Sequence, residues 1–337
     1  MGARSAQADP MKQLAVHYCG WGEDWLLGRL ADDGQSLLFE YSPEALAQAL
    51  ELSPLHLKLR AQAYRNFPAH LHRLPGVIAD SLPDGWGLLL MDRLFRQQGV
   101  RHPGPLDRLA FIGNRAMGAL RFVPARDEEA QEPDWSLTAL AKETARALTG
   151  EAGAALRELA VAGGSPQGAR PKALVQYDAT SQHVSTPPDA PGVPWLVKFP
   201  APGEHKEVCA IEQLYAGLAR DCGLYVPDST LFDLSATQGA FGVARFDRAQ
   251  GSRVPVQSLA GLLQVDFRLP VAFSASSPAR PGRASRRGRT ALPARLVGRG
   301  PALCGGHFEP LERLDVEHEA TQVAGRYLAH QGQGVER

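Results

Sequence analysis

The stretch Gly163-Gly164-Ser165-Pro166-Gln167-Gly168-Ala169-Arg170-Pro171-Lys172 is a glycine-rich turn running into an apolar strand. Glycines let a backbone approach a phosphate closely, and successive N–H groups in a turn can cradle an anion. Gly163 and Gly168 are followed by Ala169-Arg170 and not by Lys-Ser or Lys-Thr, so this is not a Walker A loop. Taken alone, the segment reads better as an ordinary helix-to-strand turn than as a phosphate cradle.

Two further positions sharpen the question. Lys198 interrupts the apolar run Trp195-Leu196-Val197-Lys198-Phe199. A lysine inside such a strand is costly to bury unless its charge is paired. Nucleotide phosphates could pair with it, and so could Glu212 on the helix expected next; a strand lysine and a helix glutamate are a known device for holding ATP phosphates. The alternative is an edge-strand lysine facing solvent. Downstream, Ala244-Arg245-Phe246-Asp247-Arg248 ends a strand at a polar turn. Backbone groups at 244–246 could meet a nucleotide base there. The plainer reading is a surface pair of Asp247 with Arg248, contributing about 1 kcal/mol or less.

Other polar features point to no site. His70 and His72 lie two apart in an expected loop, and His307 and His318 have no cysteine or carboxylate at ligand spacing, so no metal centre is expected. Asp84-Gly85-Trp86-Gly87 reads as a turn opening a helix. There is no Gly-x-Ser-x-Gly elbow, and the arginines of 280–299 lack interleaved aromatics and a supporting fold. Cys19, Cys209, Cys222 and Cys304 lie far apart, as expected of reduced thiols in a cytoplasmic protein. The formal charge of zero removes the electrostatic footprint of direct nucleic-acid binding. No apolar run approaches a membrane span, and residues 1–13 lack the apolar segment of a signal peptide.

The elements that must position these residues follow from periodicity. The 337 residues, 44% hydrophobic, suffice for two cored domains. Alternating runs at 14–18, 25–30 and 36–41 predict a small antiparallel sheet. Helices are expected over 43–59 and 84–98, and a strand ends at Pro124. After the acidic segment 125–134, Ser136 is placed to cap one helix reaching Leu159 and stopping at Gly163-Gly164. Strands at 172–177 and 195–199, a helix over 206–221 closed by Gly223, and strands at 229–234 and 241–246 follow. Turn, strand, lysine strand, glutamate helix and strands are the order of a protein-kinase-like small lobe.

In combination these segments resemble the HipA family of serine/threonine kinases, toxins of bacterial toxin–antitoxin pairs, over about residues 11–270. The resemblance rests on LLFEYSPEAL, LSPLHL, SLPDGWGLLLMDR and IGNRAMGALRFVP in the first half. In the second it rests on GGSPQGARPKALV, PWLVKFP, Glu207 with Glu212, CGLYVP, GVARFDR and SLAGLLQVDFRLP. It implies an α+β fold: a HipA-like N-terminal subdomain over 1–125, a kinase-like small lobe over 126–270, and a non-family, poorly ordered tail over 271–337. It further implies that Gln167, Gly168, Ala169, Arg170, Pro171 and Lys172 line the phosphates of ATP. Lys198 contacts them, Glu212 orients Lys198, and Ala244, Arg245 and Phe246 hold the adenine. Ser165 matches the loop serine that family members autophosphorylate. Implied partners are Mg2+, a HipB-like DNA-binding antitoxin that supplies any DNA contact, and a protein substrate such as an aminoacyl-tRNA synthetase.

The resemblance stops short of catalysis. The family's catalytic loop, of the form Asp-x-His-x-Lys-Asn, is absent, and the only aspartates after Arg248 are Asp266 and Asp315; no asparagine follows Asn114. Neither a catalytic residue nor a metal ligand can therefore be assigned. Val271–His307 holds seven arginines and no Asp, Glu, Lys or Ile, the composition of GC-rich DNA read out of frame. The expected protein is a kinase by descent, inactive as written. The alternative is a catalytically dead interaction protein that still binds the antitoxin, and a third reading is an unrelated nucleotide-binding enzyme. Without the helical large lobe, apolar surface on the small lobe is expected to be exposed.

Overall fold

The computed structural model describes residues 11–125, 134–150, 155–163 and 166–269, together with the backbone of the short strand at 295–297. The chain begins with β1 (Gln13–Tyr18), β2 (Trp25–Asp32), β3 (Leu37–Tyr41), helix α1 (Pro43–Gln48) and β4 (Ala63–Tyr64). Helices α2 (Gly76–Ala79), α3 (Gly85–Gln97) and α4 (Pro105–Ile112) lead to β5 (Leu120–Val123). The second half contains α5 (Leu137–Thr149), α6 (Leu156–Gly163), β6 (Lys172–Asp178), β7 (His183–Ser185) and β8 (Val193–Lys198). Next come α7 (Glu207–Asp221), β9 (Ser229–Asp233), β10 (Gly239–Ala244), the ribbon of β11 (Arg248–Ala249) and β12 (Ser252–Arg253), β13 (Val256–Ser258), α8 (Leu259–Leu263) and β14 (Arg295–Val297).

This is the mixed α and β class expected. The first sheet has the order β4-β3-β2-β1-β5 and the second β7-β6-β8-β10-β9, each antiparallel throughout. Alternation turns Leu14, Val16 and Tyr18 of β1 inward, with Leu37, Phe39 and Tyr41 of β3 beside them. Helix α3 packs on α6 and buries Leu90, Met91, Leu94 and Phe95, spaced to share one face. One continuous apolar core runs from Leu14 to Ala240 and joins the two sheets.

Polar contacts stitch the halves together as well. Asp80 at the end of α2 accepts from the Ser258 backbone N–H at 2.6 Å and from its hydroxyl at 2.7 Å. Gly76 packs so tightly that a Cβ there would lie 1.9 Å from the Gly261 carbonyl oxygen.

Two helices are shorter than periodicity predicts. The helix expected over 43–59 ends at Gln48, with Ala49 left-handed at φ 56°; Pro54, five residues beyond Ala49, disfavours helix at Ser53. The single helix expected from Ser136 to Leu159 is two. Ser136 does cap α5, accepting from the Ala139 N–H at 3.3 Å, but Gly150 closes it at φ 88°. Strand β14 pairs parallel with β13, Val256 opposite Arg295, within the stretch expected to be disordered. The remainder of that tail, with Cys304, His307, Asp315 and His318, lies outside the described residues.

Candidate functional site

Strand β8 occupies the centre of the second sheet, which removes the edge-strand reading of Lys198. Register sets Lys198 opposite Lys172 of β6 on one side and Phe241 of β10 on the other. Like charges directly opposite on neighbouring strands repel, and the two ammoniums diverge. Lys198 Nζ lies 2.6 Å from Glu212 Oε2 of α7 and 5.4 Å from the centre of the Phe241 ring. Lys172, 4% exposed, donates from Nζ to the Gln167 carbonyl at 2.8 Å. Gly168, at φ 112°, makes room for it, since a Cβ there would meet the Lys172 ammonium at 2.6 Å.

The strand lysine and helix glutamate thus meet as the sequence suggested, and they have company. Arg170 places one guanidinium nitrogen 2.9 Å from Glu212 Oε1 and another 2.8 Å from Glu204 Oε1. Glu204 gave no signal in the sequence, because it stands in a connecting turn. Its other oxygen accepts from the Ala201 N–H at 2.8 Å. The glycine-rich turn is also tied to the first half of the chain: the Gly168 N–H donates to Asp84 Oδ1. Arg170, Lys172 and Lys198 are therefore set among three carboxylates, Asp84, Glu204 and Glu212. A polyphosphate entering here must displace Glu204 and Glu212 from Arg170 and Lys198, which lowers its affinity.

At the far end of β8 the strand end 244–246 is differently committed. The Ala244 N–H donates to the Asp228 carbonyl at 2.7 Å and the Arg245 N–H to the Pro194 carbonyl at 2.9 Å. An adenine at this strand end has neither of those donors available. The Arg245 side chain turns inward to Asp247 at 2.6 Å.

Asp247 is no surface residue, contrary to the plainer reading of its sequence. It is fully buried, held by Arg245, by Arg248 at 2.7 Å and by the Gly118 N–H at 2.8 Å. Burial alone would raise its pKa, but Arg245, Arg248 and the Gly118 N–H together bring it down to about 2. Burial, with Arg245 alongside, pushes the Arg248 guanidinium down to about 9. Arg253 completes the cluster by donating to the carbonyls of Asn114, Ala116, Gly118 and Leu120.

His70 and His72 bind no common partner; His70 Nε2 lies 3.0 Å from the Gln264 carbonyl. Among the described residues no group of three or more His, Cys, Asp or Glu could hold a metal. Cys19, Cys209 and Cys222 are free thiols. No helix among the described residues is long and apolar enough to cross a membrane. Ser165 lies outside the described residues.

Comparison with known proteins agrees with the resemblance seen in the sequence. The HipA N-terminal domain matches residues 21–123, and the HipA-like C-terminal domain matches residues 164–280, reaching past Pro270. No curated protein matches the chain. Among solved structures, HipA in the Shewanella oneidensis MR-1 complex of HipA, HipB and operator DNA is similar at 19% identity and a TM-score of 0.46. The match covers 70% of this chain and 51% of that one, so this chain spans about half of that HipA's length. With both HipA domains matched in order along one polypeptide, the chain belongs to the HipA family.

Proposed function

We propose that this chain is a HipA-like member of a toxin–antitoxin pair whose small lobe binds ATP weakly and does not transfer its phosphate. The observation that carries the reading is the Lys198–Glu212 pair at 2.6 Å, on a central strand and its following helix, directly across the sheet from the end of the glycine-rich turn. Lys198 would reach the phosphates, Glu212 would hold its ammonium in place, and residues 167–172 would border them. The adenine would lie at residues 244–246, without hydrogen bonds from the Ala244 and Arg245 N–H groups. The described residues do not supply a Mg2+ cage, so the ion would enter with the nucleotide.

Phosphate transfer needs a group that orients the attacking hydroxyl and charges that neutralise the transferring phosphoryl. This sequence holds no Asp-x-His-x-Lys-Asn loop. Losing one such interaction typically costs about 3–4 kcal/mol of barrier. A HipB-like antitoxin remains the proposed partner, on family membership; a protein such as an aminoacyl-tRNA synthetase would be the substrate only of an active relative.

Photolabelling with 8-azido-ATP tests the placement. Covalent label recovered in peptides containing 244–246, competed by ATP, is the expected result; label elsewhere would overturn it. In parallel, incubation with radiolabelled ATP should leave the chain unlabelled, and phosphate recovered on Ser165 would overturn the inactive reading.

A further inference from the structure

The glycine-rich turn is held by the other half of the molecule. Asp84 is the N-cap of α3, yet its side chain caps nothing in its own helix. The carboxylate reaches across to the Gly168 N–H instead, while the Trp86 N–H returns a hydrogen bond to the Gly168 carbonyl at 3.3 Å. Residue 168 is thus bracketed on both its peptide groups. The Trp86 indole, 2% exposed, donates from Nε1 to the Lys172 carbonyl at 3.0 Å. Gln167 donates from its side-chain amide to the carbonyls of Asp80 at 3.2 Å and Leu82 at 3.3 Å.

Close packing enforces the same placement. Gly85 stands at φ 44°, and a Cβ there would lie 2.6 Å from the Ala169 Cα. A Cβ on Gly163 would lie 2.7 Å from the Lys172 carbonyl and 2.8 Å from the Trp86 indole nitrogen. From the N-terminal half these contacts come from the segment 80–86, which precedes or opens α3; from the sheet that carries Lys198 they come only from Lys172, at the turn's own exit into β6.

We propose that the segment Asp80–Trp86 of the N-terminal half sets the conformation of the glycine-rich turn, with Asp84 and Trp86 acting as positioning residues for the nucleotide site. The consequence for nucleotide rests on the ATP-binding reading above; the clamp itself does not. Anything that shifts the start of α3, such as a partner docking on the N-terminal half, loosens the turn and weakens nucleotide binding without touching Lys198 or Glu212. Asp84 is suited to this because its carboxylate, stronger as an acceptor than a neutral group, holds a backbone N–H.

The experiment compares Asp84→Ala, Asp84→Asn and Trp86→Phe with the unaltered full-length chain. Amide exchange over residues 167–170 is read by mass spectrometry, and affinity is read with a fluorescent ATP analogue. Exchange at Gly168 should rise at least tenfold in Asp84→Ala, rise less in Trp86→Phe and be largely restored in Asp84→Asn, whose amide oxygen still accepts. The analogue's Kd should rise severalfold in Asp84→Ala and recover in Asp84→Asn, while Lys198→Ala weakens binding with no change in exchange at Gly168. Unchanged exchange in both Asp84→Ala and Trp86→Phe overturns the clamp whatever happens to nucleotide. Tighter binding by Asp84→Asn also overturns it, since the carboxylate would then be excluding phosphate. If the unaltered chain binds no nucleotide, the ATP reading fails, and the exchange measurements alone decide the clamp.

Discussion

The two sides of the second sheet are finished to different standards. Where the strand end of β10 meets the first half, Asp247 is fully buried and its carboxylate takes three partners, and Arg253 satisfies four carbonyls of the segment 114–120 that leads into β5. On the other side, α7 buries only Cys209 among its fifteen residues. Its Ile211, Leu214, Tyr215 and Leu218 fall at the i, i+3, i+4, i+7 spacing of a packing stripe, yet each is about half exposed or more. Leu224 and Tyr225, in the turn that follows, are exposed to a similar degree. The sheet is thus more deeply buried at its junction with the N-terminal half than beneath α7, whose outer stripe faces solvent. Glu212, and with it the grip on Lys198, therefore sits on the less secured element. The apolar surface expected on the small lobe is found on this helix.

The largest test of that contrast is Asp247→Asn. It removes the carboxylate that holds Arg245 and Arg248, and breaking such a buried pair costs about 3–5 kcal/mol. Equilibrium denaturation in urea should show the loss as a lower midpoint; a loss under about 1 kcal/mol would place the cluster with ordinary surface pairs. Leu30→Ala in β2, at a side chain 0% exposed, should cost about 2–5 kcal/mol.

Acid titration reads the same junction. The Asp247 carboxyl has a lower pKa folded than unfolded, from 3.8 to about 2, so its stabilising contribution is present above pH 4. It fades as pH falls toward 2. The contribution amounts to about 2 kcal/mol, and Asp247→Asn should flatten that part of the stability–pH curve. An unaltered slope in the variant would contradict the assignment.

The smallest effect is expected on the exposed side. Leu214→Glu on α7 should change folding stability by no more than about 0.5 kcal/mol, while lowering any concentration-dependent association seen by light scattering. A loss comparable to that of Leu30→Ala would mean that α7 is packed after all, and the contrast would fall.

Much of the frame was legible in the sequence because it is local. Period-two alternation located β1, β2 and β3, and the short apolar runs located β6, β8, β9 and β10. Lys198 and Glu212 were found together because a lysine in an apolar run demands a partner and the next helix offered one. Helix α4 was not anticipated; eight residues between Gly104 and Gly113 carry too little periodicity. The missed parts of the site are those joined over long separations. Asp84 and Gly168 are 84 residues apart, and Asp247 and Gly118 are 129 apart. No local pattern announces such pairs. The one available signal was an aspartate standing just before Gly-Trp-Gly at a helix start.

Nucleotide binding through Lys198 is tested most directly by an isothermal titration of the chain with ATP, repeated with Lys198→Ala. The expected result is saturable, weak binding whose Kd rises at least tenfold in the variant, corresponding to about 1.4 kcal/mol or more. Binding of equal strength in both proteins, or none in the unaltered chain, would contradict it.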